Sequence, residues 1–333
     1  MRISVIGSGA WGSALAKSFT DGGHDVTMWS HDRTLAEEIE RTRENTAFLK
    51  GARFGDAFHC TADLKTAVAG AEIVVSVTAS HFVRATMARA AEHLEPDAVV
   101  VSASKGIEVE TLATMFDVLR DVLPGPIAGR LAFLSGPSFA KEVGAGKPTA
   151  VVVASRHLAV AKRIQAAISN ARFRAYTSDD VVGVELGGAL KNVIAVAAGV
   201  SDGLGLGHNS RAAIITRGLA EITRLAVHKG ANPLTLSGLA GMGDLVLTCT
   251  GDLSRNRFVG MELGKGRKLA EILAGMTEVA EGVRTARSAF ALGQKLDVAM
   301  PITDMVYRVL YEDLPAQKAV GELMTRDLRH ELE

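Results

Sequence analysis

The chain has 333 residues, of which 47% are hydrophobic and 22% are charged, as is typical of a globular protein large enough for two domains. Lys plus Arg and Asp plus Glu both total 37, so the formal net charge is zero. This charge balance argues against a protein that binds nucleic acids in general or that binds anionic membrane surfaces. Cys60 and Cys249 lack the spacing of a disulfide framework or zinc site, which favours a reducing compartment, the cytoplasm. We expect no secretory leader and no run long enough to span a membrane.

The first twelve residues are the most informative segment. A short apolar strand at 2–6 leads into G-S-G-A-W-G at 7–12, and a helical pattern follows. After a strand and before a helix, Gly7 allows a tight turn, Gly9 lets the backbone approach a pyrophosphate, and Gly12 lets helix and strand pack closely. The N–H groups at the helix start then face the anion. The pattern predicts a dinucleotide site, and the alternative is a glycine turn that binds nothing.

The second predicted strand, 26–29, ends where the adenosine ribose of such a dinucleotide is expected. An acidic residue there binds the ribose 2′-OH of NAD, whereas an Arg nearby accommodates the 2′-phosphate of NADP. His31, Asp32 and Arg33 follow the strand and offer both kinds of group. The sequence therefore leaves the choice between NAD and NADP open.

The two halves of the chain have different predicted secondary structures. Up to about Thr177 short apolar runs alternate with helical patterns, which predicts an α/β domain with a doubly wound, mostly parallel sheet. Strands are predicted at 2–6, 26–29, 72–77, 98–102, 131–134, 149–154 and 172–176, and helices at 12–21, 33–42, 80–93, 109–122, 138–144 and 157–169.

Beyond Thr177 only long helical patterns follow, at 184–200, 209–229, 268–275, 282–296 and 301–312. We expect a Rossmann-type domain over residues 1–178 and an all-helical domain over 179–333. The cleft between the domains, at the carboxyl ends of the strands, is the expected active site.

Lys191 and Asn192 are the strongly polar residues in the otherwise small or apolar stretch 187–199. A helix of this composition is buried most of the way round, and burial lowers the pKa of an unpaired ammonium. Such a Lys is suited to proton transfer, and Glu185 is the nearest acidic group in sequence that could partner it. The alternative is a lysine that extends along the helix edge to solvent.

Two loops after predicted strands carry further candidates. Lys105 lies in S-K-G-I at a strand end, where it could hold a phosphate or polarise a carbonyl, or could simply be a surface lysine. Ser138, in S-G-P-S-F-A, could line a ligand or could cap the next helix, with Glu142 near the capping-box position.

Polar groups in the second half complete the candidates. Asp244 follows the glycines of G-M-G-D-L and could meet a ligand, or could cap a helix over 245–250. In S-R-N at 254–256, the planar guanidinium of Arg255 is well suited to bind a phosphate. The alternative is that these polar residues only face solvent. The histidine spacing fits no metal motif, so no metal is expected.

Seven short motifs occur along the chain in one order. They are G-S-G-A-W-G at 7–12, S-K-G-I at 104–107, S-G-P-S-F-A at 135–140, L-K-N at 190–192, G-M-G-D-L at 241–245, S-R-N at 254–256 and V-A-E-G-V at 279–283. In this combination the chain resembles the bacterial NAD(P)-dependent glycerol-3-phosphate dehydrogenase family, from residue 2 to about 312.

The resemblance implies reversible reduction of dihydroxyacetone phosphate to sn-glycerol 3-phosphate, with NAD or NADP and without metal, for phospholipid synthesis. It also implies a homodimer. Lys191 becomes the proton donor to the ketone oxygen, and Lys105 and Asp244 complete the polar centre. The substrate residues are then Lys105, Gly136, Ser138, Lys191, Asp244, Ser254, Arg255 and Asn256. The cofactor residues are Gly7, Gly9, Ala10, Trp11, Gly12, His31, Asp32, Lys105, Ala140, Arg255, Val279 and Glu281.

Two positions depart from the family pattern. His31 stands where family members often have Arg, and a neutral His should bind a 2′-phosphate less well. Ala280 replaces the second Val of V-V-E-G, which leaves Glu281 in place. The alternatives are a 3-hydroxyacid or 6-phosphogluconate-type dehydrogenase, a non-catalytic nucleotide sensor and a methyltransferase. The substrate motifs, the lysine in an apolar helix and the helical second half argue against these in turn.

Overall fold

The computed structural model describes residues 1–276, 279–328 and 330–331. In these ranges one eight-stranded sheet has the order β3-β2-β1-β4-β5-β6-β7-β8. Neighbouring strands are parallel except β6 and β7, which confirms the predicted mostly parallel sheet. The strands are β1 Arg2–Ile6, β2 Asp25–Trp29, β3 Phe58–Thr61, β4 Ile73–Ser76, β5 Val99–Ser102, β6 Ala132–Ser135, β7 Thr149–Ala154 and β8 Phe173–Ser178.

Helices cover both faces of this sheet and make up the second half of the chain. Those of the first half are α1 Ala10–Asp21, α2 Arg33–Thr42, α3 Leu64–Val68, α4 Ser80–Ala91, α5 Met115–Val122, α6 Gly125–Ala128, α7 Ala140–Gly144 and α8 Leu158–Ile168. Those of the second half are α9 Val181–Gly203, α10 Gly207–His228, α11 Pro233–Leu236, α12 Asp244–Thr250, α13 Arg255–Gly264, α14 Leu269–Ala274, α15 Glu281–Lys295, α16 Pro301–Tyr311 and α17 Ala316–Met324.

The central strands are buried on both faces, which is why they read as continuous apolar runs. Every residue of β4, β5 and β6 is buried. Strand β3 was not predicted because it is a short edge strand with an exposed alternate residue, His59, and so lacks such a run. The helix predicted over 109–122 begins only at Met115, after a loop.

Helix α9 is the core of the helical half and packs against α10, α12, α13 and α15. By length and composition it could cross a membrane, so the expectation that no run is long enough was wrong. However, 83% of its most apolar window is buried inside the protein, as in the core helix of a globular domain. The prediction of a helix buried most of the way round is thus confirmed.

Candidate active site

The glycine turn lies between β1 and α1, at the point where the strand order reverses between β1 and β4. Gly7 has a φ of +130°, a region that favours glycine. A Cβ on Gly12 would lie 1.9 Å from the Gly7 carbonyl oxygen, so helix and strand approach closely only without a side chain there. A Cβ on Gly9 would meet nothing within 4 Å, which leaves its backbone open to a ligand. The turn therefore fits a dinucleotide.

Asn45 holds this turn in place, and sequence reasoning missed it. Its side-chain amide is fully buried and donates to the Ser8 carbonyl oxygen at 2.7 Å and to the Ser13 hydroxyl at 2.8 Å. The Ser8 hydroxyl in turn donates to that of Ser30 at 2.8 Å, just after β2. The loop that would face a pyrophosphate is thereby connected to the segment that would face a ribose.

Replacing Asn45 with alanine should lower the free energy of unfolding and weaken dinucleotide binding, since it leaves the buried Ser8 carbonyl without this donor. Buried polar groups deprived of a partner cost about 1–3 kcal/mol each. Thermal unfolding and the Kd for NADH measure the two effects. An Asn45→Ala protein with unchanged Kd would show that the loop holds its shape without the amide.

The expected ribose-binding residues lie on the surface after β2. His31 and Asp32 are both exposed. One Asp32 carboxylate oxygen accepts from the Leu35 N–H at 3.1 Å and so caps α2. Asp32 therefore has a structural role whichever nucleotide binds, and His31 is the exposed group beside it.

A buried carboxylate between two lysines forms the centre of the site. Lys105 follows β5 and donates to Asp244 Oδ2 at 2.6 Å, while Lys191 on α9 donates to Asp244 Oδ1. The Lys191 ammonium also donates at 2.8 Å to the hydroxyl of Thr248, one turn along α12. We call Lys105, Asp244 and Lys191 the lysine–aspartate cluster. Thr248 was not predicted, although it lies four residues after Asp244 on the same helix face.

Burial sets the protonation behaviour of this cluster. It lowers the pKa of the Lys191 ammonium to about 8, against the opposing effect of Asp244 and with the help of the nearby Lys105 charge. Burial alone would raise the pKa of Asp244, but the two lysine charges hold it below its ordinary value. Asp244 therefore stays ionised near neutral pH, while Lys191 can exchange a proton close to physiological pH.

The structure corrects the expected partner of Lys191. Glu185 does not bond to it; the Glu185 carboxylate accepts from the Phe116 N–H at 2.8 Å instead. Helix α9 reaches the edge of the sheet because Gly188 has no side chain: a Cβ there would lie 2.6 Å from the Ser135 hydroxyl. The close approach brings Lys191 to the loop that carries Lys105.

The loop after β6 lies, like the loop that carries Lys105, at the carboxyl ends of the strands. Gly136 has a φ of +134°, and a Cβ there would lie 3.0 Å from Val151 Cα. Ser138 does not cap α7: Phe139 occupies the N-cap position without a side-chain bond, and the Ser138 hydroxyl donates to the Gly136 carbonyl oxygen at 2.9 Å. Ala140, half-buried, begins α7.

The S-R-N motif forms the N-terminus of α13. The buried Ser254 hydroxyl caps this helix by accepting from the Arg257 N–H at 3.2 Å. Asn256 is also buried; its amide donates to Asn192 Oδ1 at 2.9 Å, and its oxygen accepts from the Gly282 N–H at 2.9 Å. These bonds place the N-terminus of α13 beside the Lys191 turn of α9. Exposed Arg255 is the first residue of α13, where anions bind readily.

Glu281 connects the helical half to the sheet. Its carboxylate accepts from the Ser80 hydroxyl at 2.9 Å and from the Ser80 N–H at 3.3 Å, at the start of α4 behind β4. Burial raises the pKa of Glu281, and the nearby Arg255 charge opposes this. Val279 is 45% exposed next to it. Glu281 thus links the start of α15 to the start of α4, with the Arg255 charge nearby.

The arrangement combines a dinucleotide turn with an ammonium that titrates near neutrality and an arginine at a helix N-terminus. It suits proton transfer to a small anionic substrate. Within the described ranges, no three His, Cys, Asp or Glu side chains group as a metal site would require.

Comparisons with known proteins agree with this chemistry. Residues 2–161 match the family described as NAD-dependent glycerol-3-phosphate dehydrogenase N-terminus, and residues 180–321 match the corresponding C-terminus family. A glycerol-3-phosphate dehydrogenase (NAD(P)+) of Geobacter sulfurreducens is 57% identical over 330 residues, 99% of this chain and 98% of the relative. One from Myxococcus xanthus is 56% identical over 332 residues, 100% of this chain and 99% of the relative.

A solved structure supports the same assignment. The crystal structure of glycerol-3-phosphate dehydrogenase from Coxiella burnetii superposes with a TM-score of 0.93 at 37% identity, over 98% of this chain and 99% of that chain. The similarity spans both the sheet and the helical half. The chain belongs to the bacterial NAD(P)-dependent glycerol-3-phosphate dehydrogenase family.

Proposed function

We propose that this protein interconverts dihydroxyacetone phosphate and sn-glycerol 3-phosphate with NADH or NADPH. The observation that carries the proposal is the lysine–aspartate cluster, at the carboxyl edge of a sheet whose glycine turn fits a dinucleotide. The nicotinamide, when bound, supplies the hydride chemistry. The polypeptide supplies binding, orientation and the proton.

In the reductive direction Lys191 donates a proton to the ketone oxygen as that oxygen gains charge. Asp244 holds the Lys191 ammonium in place, and Lys105 adds a second positive charge beside it. Positioned cations of this kind stabilise a developing alkoxide. In the oxidative direction neutral Lys191 removes the proton from the hydroxyl.

The substrate phosphate binds at the N-terminus of α13 in this proposal. Arg255 gives a planar pair of donors for it, and Ser254 and Asn256 flank that position. Gly136 and Ser138 line the substrate from the β6 loop. The dinucleotide lies along Gly7, Gly9, Ala10, Trp11 and Gly12, with His31 and Asp32 at the ribose, and Lys105, Ala140, Arg255, Val279 and Glu281 towards the other end.

The proposal extends to organisation. The sheet ends at Ser178 and α9 begins at Val181, which supports a dinucleotide domain over 1–178 and a substrate domain over 179–333. We assign the protein to the cytoplasm, where its product would enter phospholipid synthesis, without membrane insertion or nucleic-acid binding. Family membership supports a homodimer.

The test is the loss of absorbance at 340 nm when the protein meets NADH or NADPH and a candidate substrate. Dihydroxyacetone phosphate should be turned over, and chiral analysis should identify sn-glycerol 3-phosphate as the product. A 3-keto acid in place of dihydroxyacetone phosphate serves as one comparison for the related dehydrogenases. 6-Phosphogluconate with NADP+ serves as the other, and its oxidation would appear as a gain of absorbance at 340 nm. Turnover of either comparison substrate alone would replace this proposal with that activity.

The two directions of the reaction should depend on pH in opposite ways. Because the pKa of Lys191 lies at about 8, the charged donor disappears as the pH rises through that value. The kcat/KM for reduction should therefore fall, and the kcat/KM for oxidation should rise, as the pH increases through about 8. Both kcat/KM profiles test the assignment, because kcat/KM reports the free enzyme; parallel profiles would contradict it.

Replacing His31 with arginine should shift preference towards NADPH. The His31 imidazole offers fewer donors than a guanidinium, and the Asp32 beside it would repel a 2′-phosphate, so we expect the native protein to accept NADH at least as well as NADPH. One charge-assisted contact of about 1.4 kcal/mol corresponds to a roughly tenfold change in the kcat/KM ratio. The ratio is measured at fixed salt, because the contact is ionic. An unchanged ratio would mean that Arg33 or another group reads the ribose.

A further inference from the structure

A small cavity lies behind Lys105, between the ends of β5 and β6 and helix α9. Ser102, Ser135, Lys105, Gly188 and Glu185 are among its lining residues. About 10 Å³ is available to the centre of a water molecule. That is room for about one water, provided that polar partners surround it. We call this space the serine cavity.

The partners are present. The Ser102 and Ser135 hydroxyl oxygens are buried and have no hydrogen-bond partner among the described residues. Buried hydroxyls are normally satisfied, by protein or by ordered water. Gly188 keeps the space open, because a Cβ there would lie 2.6 Å from the Ser135 hydroxyl. A water bound here would satisfy both serines and would face Lys105.

The other ionisable group on the cavity is Glu185, which the proton-transfer step does not use. Burial raises the pKa of this carboxyl to about 8. The Asp117 carboxylate raises it further, while the Phe116 N–H, the Thr114 hydroxyl and the Arg156 charge lower it. Glu185 therefore changes charge over the same pH range as the Lys191 ammonium, on the far side of the serine cavity.

We propose that a water molecule in the serine cavity joins Glu185 to Lys105, which makes Glu185 a positioning residue for proton transfer in the lysine–aspartate cluster. The proposal rests on the dehydrogenase function above. When Glu185 is ionised, its charge favours the protonated form of Lys191; when it is neutral, that support is lost. The pKa of Lys191 should therefore depend on the presence of the Glu185 carboxylate.

The test is the pH profile of kcat for reduction in Glu185→Gln. The variant lacks the charge that favours the ammonium, so the alkaline midpoint should move to lower pH. A shift of about 0.3 to 1 pH unit corresponds to a unit charge within about 10 Å. Glu221→Gln is the matched control. Glu221 is a buried carboxyl whose pKa is also raised, to about 7, and it caps a helix, α16, through the Ile302 N–H.

A second variant, Ser102→Val, tests the water itself. Its methyl groups would displace the water and keep Glu185 more desolvated and neutral, so the midpoint should again move to lower pH. If circular dichroism shows that Glu185→Gln does not fold, the midpoint of Ser102→Val alone tests the proposal. The proposal is overturned if folded Glu185→Gln or Ser102→Val keeps the wild-type midpoint, or if Glu221→Gln shifts it equally. A wild-type protein that does not oxidise NADH or NADPH with dihydroxyacetone phosphate would instead refute the function itself.

Discussion

Lys191→Ala should bind the cofactor normally and lose turnover. The variant lacks the ammonium that donates the proton, and positioned general acids contribute about 10²–10⁴-fold in rate. Loss of its charge beside the ketone oxygen adds to the effect. We expect kcat to fall by at least about 100-fold while the Kd for NADH stays close to that of the wild type.

The matched control is Lys229→Ala, which removes an exposed lysine from the end of α10. It should retain wild-type kcat. The thermal unfolding temperature should be measured for both variants, because Lys191 bonds buried Asp244 and its removal leaves that charge with Lys105 as its remaining lysine partner. A folded Lys191→Ala enzyme within threefold of wild-type kcat would exclude Lys191 as the proton donor.

The Arg255→Ala substitution should weaken the binding of dihydroxyacetone phosphate much more than the binding of the cofactor. Hydrogen bonds to charged groups contribute about 1.5–3 kcal/mol, so we expect KM for the substrate to rise by roughly 10- to 100-fold. Arg163→Ala, at an exposed position on α8, serves as a control for the loss of one positive charge. Dihydroxyacetone, which lacks the phosphate, should be a poor substrate for the wild type and for both variants. If Arg255→Ala and the wild type discriminate equally between the two substrates, Arg255 does not bind the phosphate.

The dinucleotide turn could be predicted because its determinants are local. Gly7, Gly9 and Gly12 fall within six residues, and the flanking strand and helix can be read from the same segment. Asn45 could not be found in this way. Its hydrogen bond to the Ser8 carbonyl oxygen joins residues that are 37 positions apart in sequence. No local pattern in either segment predicts this contact.

The polar centre shows a similar limit. Lys191, Lys105 and Asp244 were each named as candidates, but the partner that the local sequence suggested for Lys191 was Glu185, the nearest acid in sequence. Six residues apart on a helix, Lys191 and Glu185 do not share a face, since only spacings of three or four residues bring side chains together. The true partner lies 53 residues away, brought close by the packing of α12 on α9.

The turn before Asp244 could not be predicted either. A single π-helical turn over Leu239–Gly243 precedes α12, where the sequence suggested only a glycine-rich approach to a cap. A Cβ on Gly241 would lie 2.1 Å from the Leu236 carbonyl oxygen, so this turn needs the glycine. This contact is local, but a run of glycines permits many kinds of turn, so the sequence alone does not select this one.

The central claim is that Lys191 faces the reacting oxygen while the N-terminus of α13 holds the phosphate. A crystal structure of the complex with NAD+ and sn-glycerol 3-phosphate tests it most directly. We predict the substrate C2 hydroxyl within hydrogen-bonding distance of Lys191 Nζ, about 2.6–3.2 Å, and the phosphate on Arg255. A complex with the phosphate on Lys191 and the C2 hydroxyl away from the lysine–aspartate cluster would contradict the account.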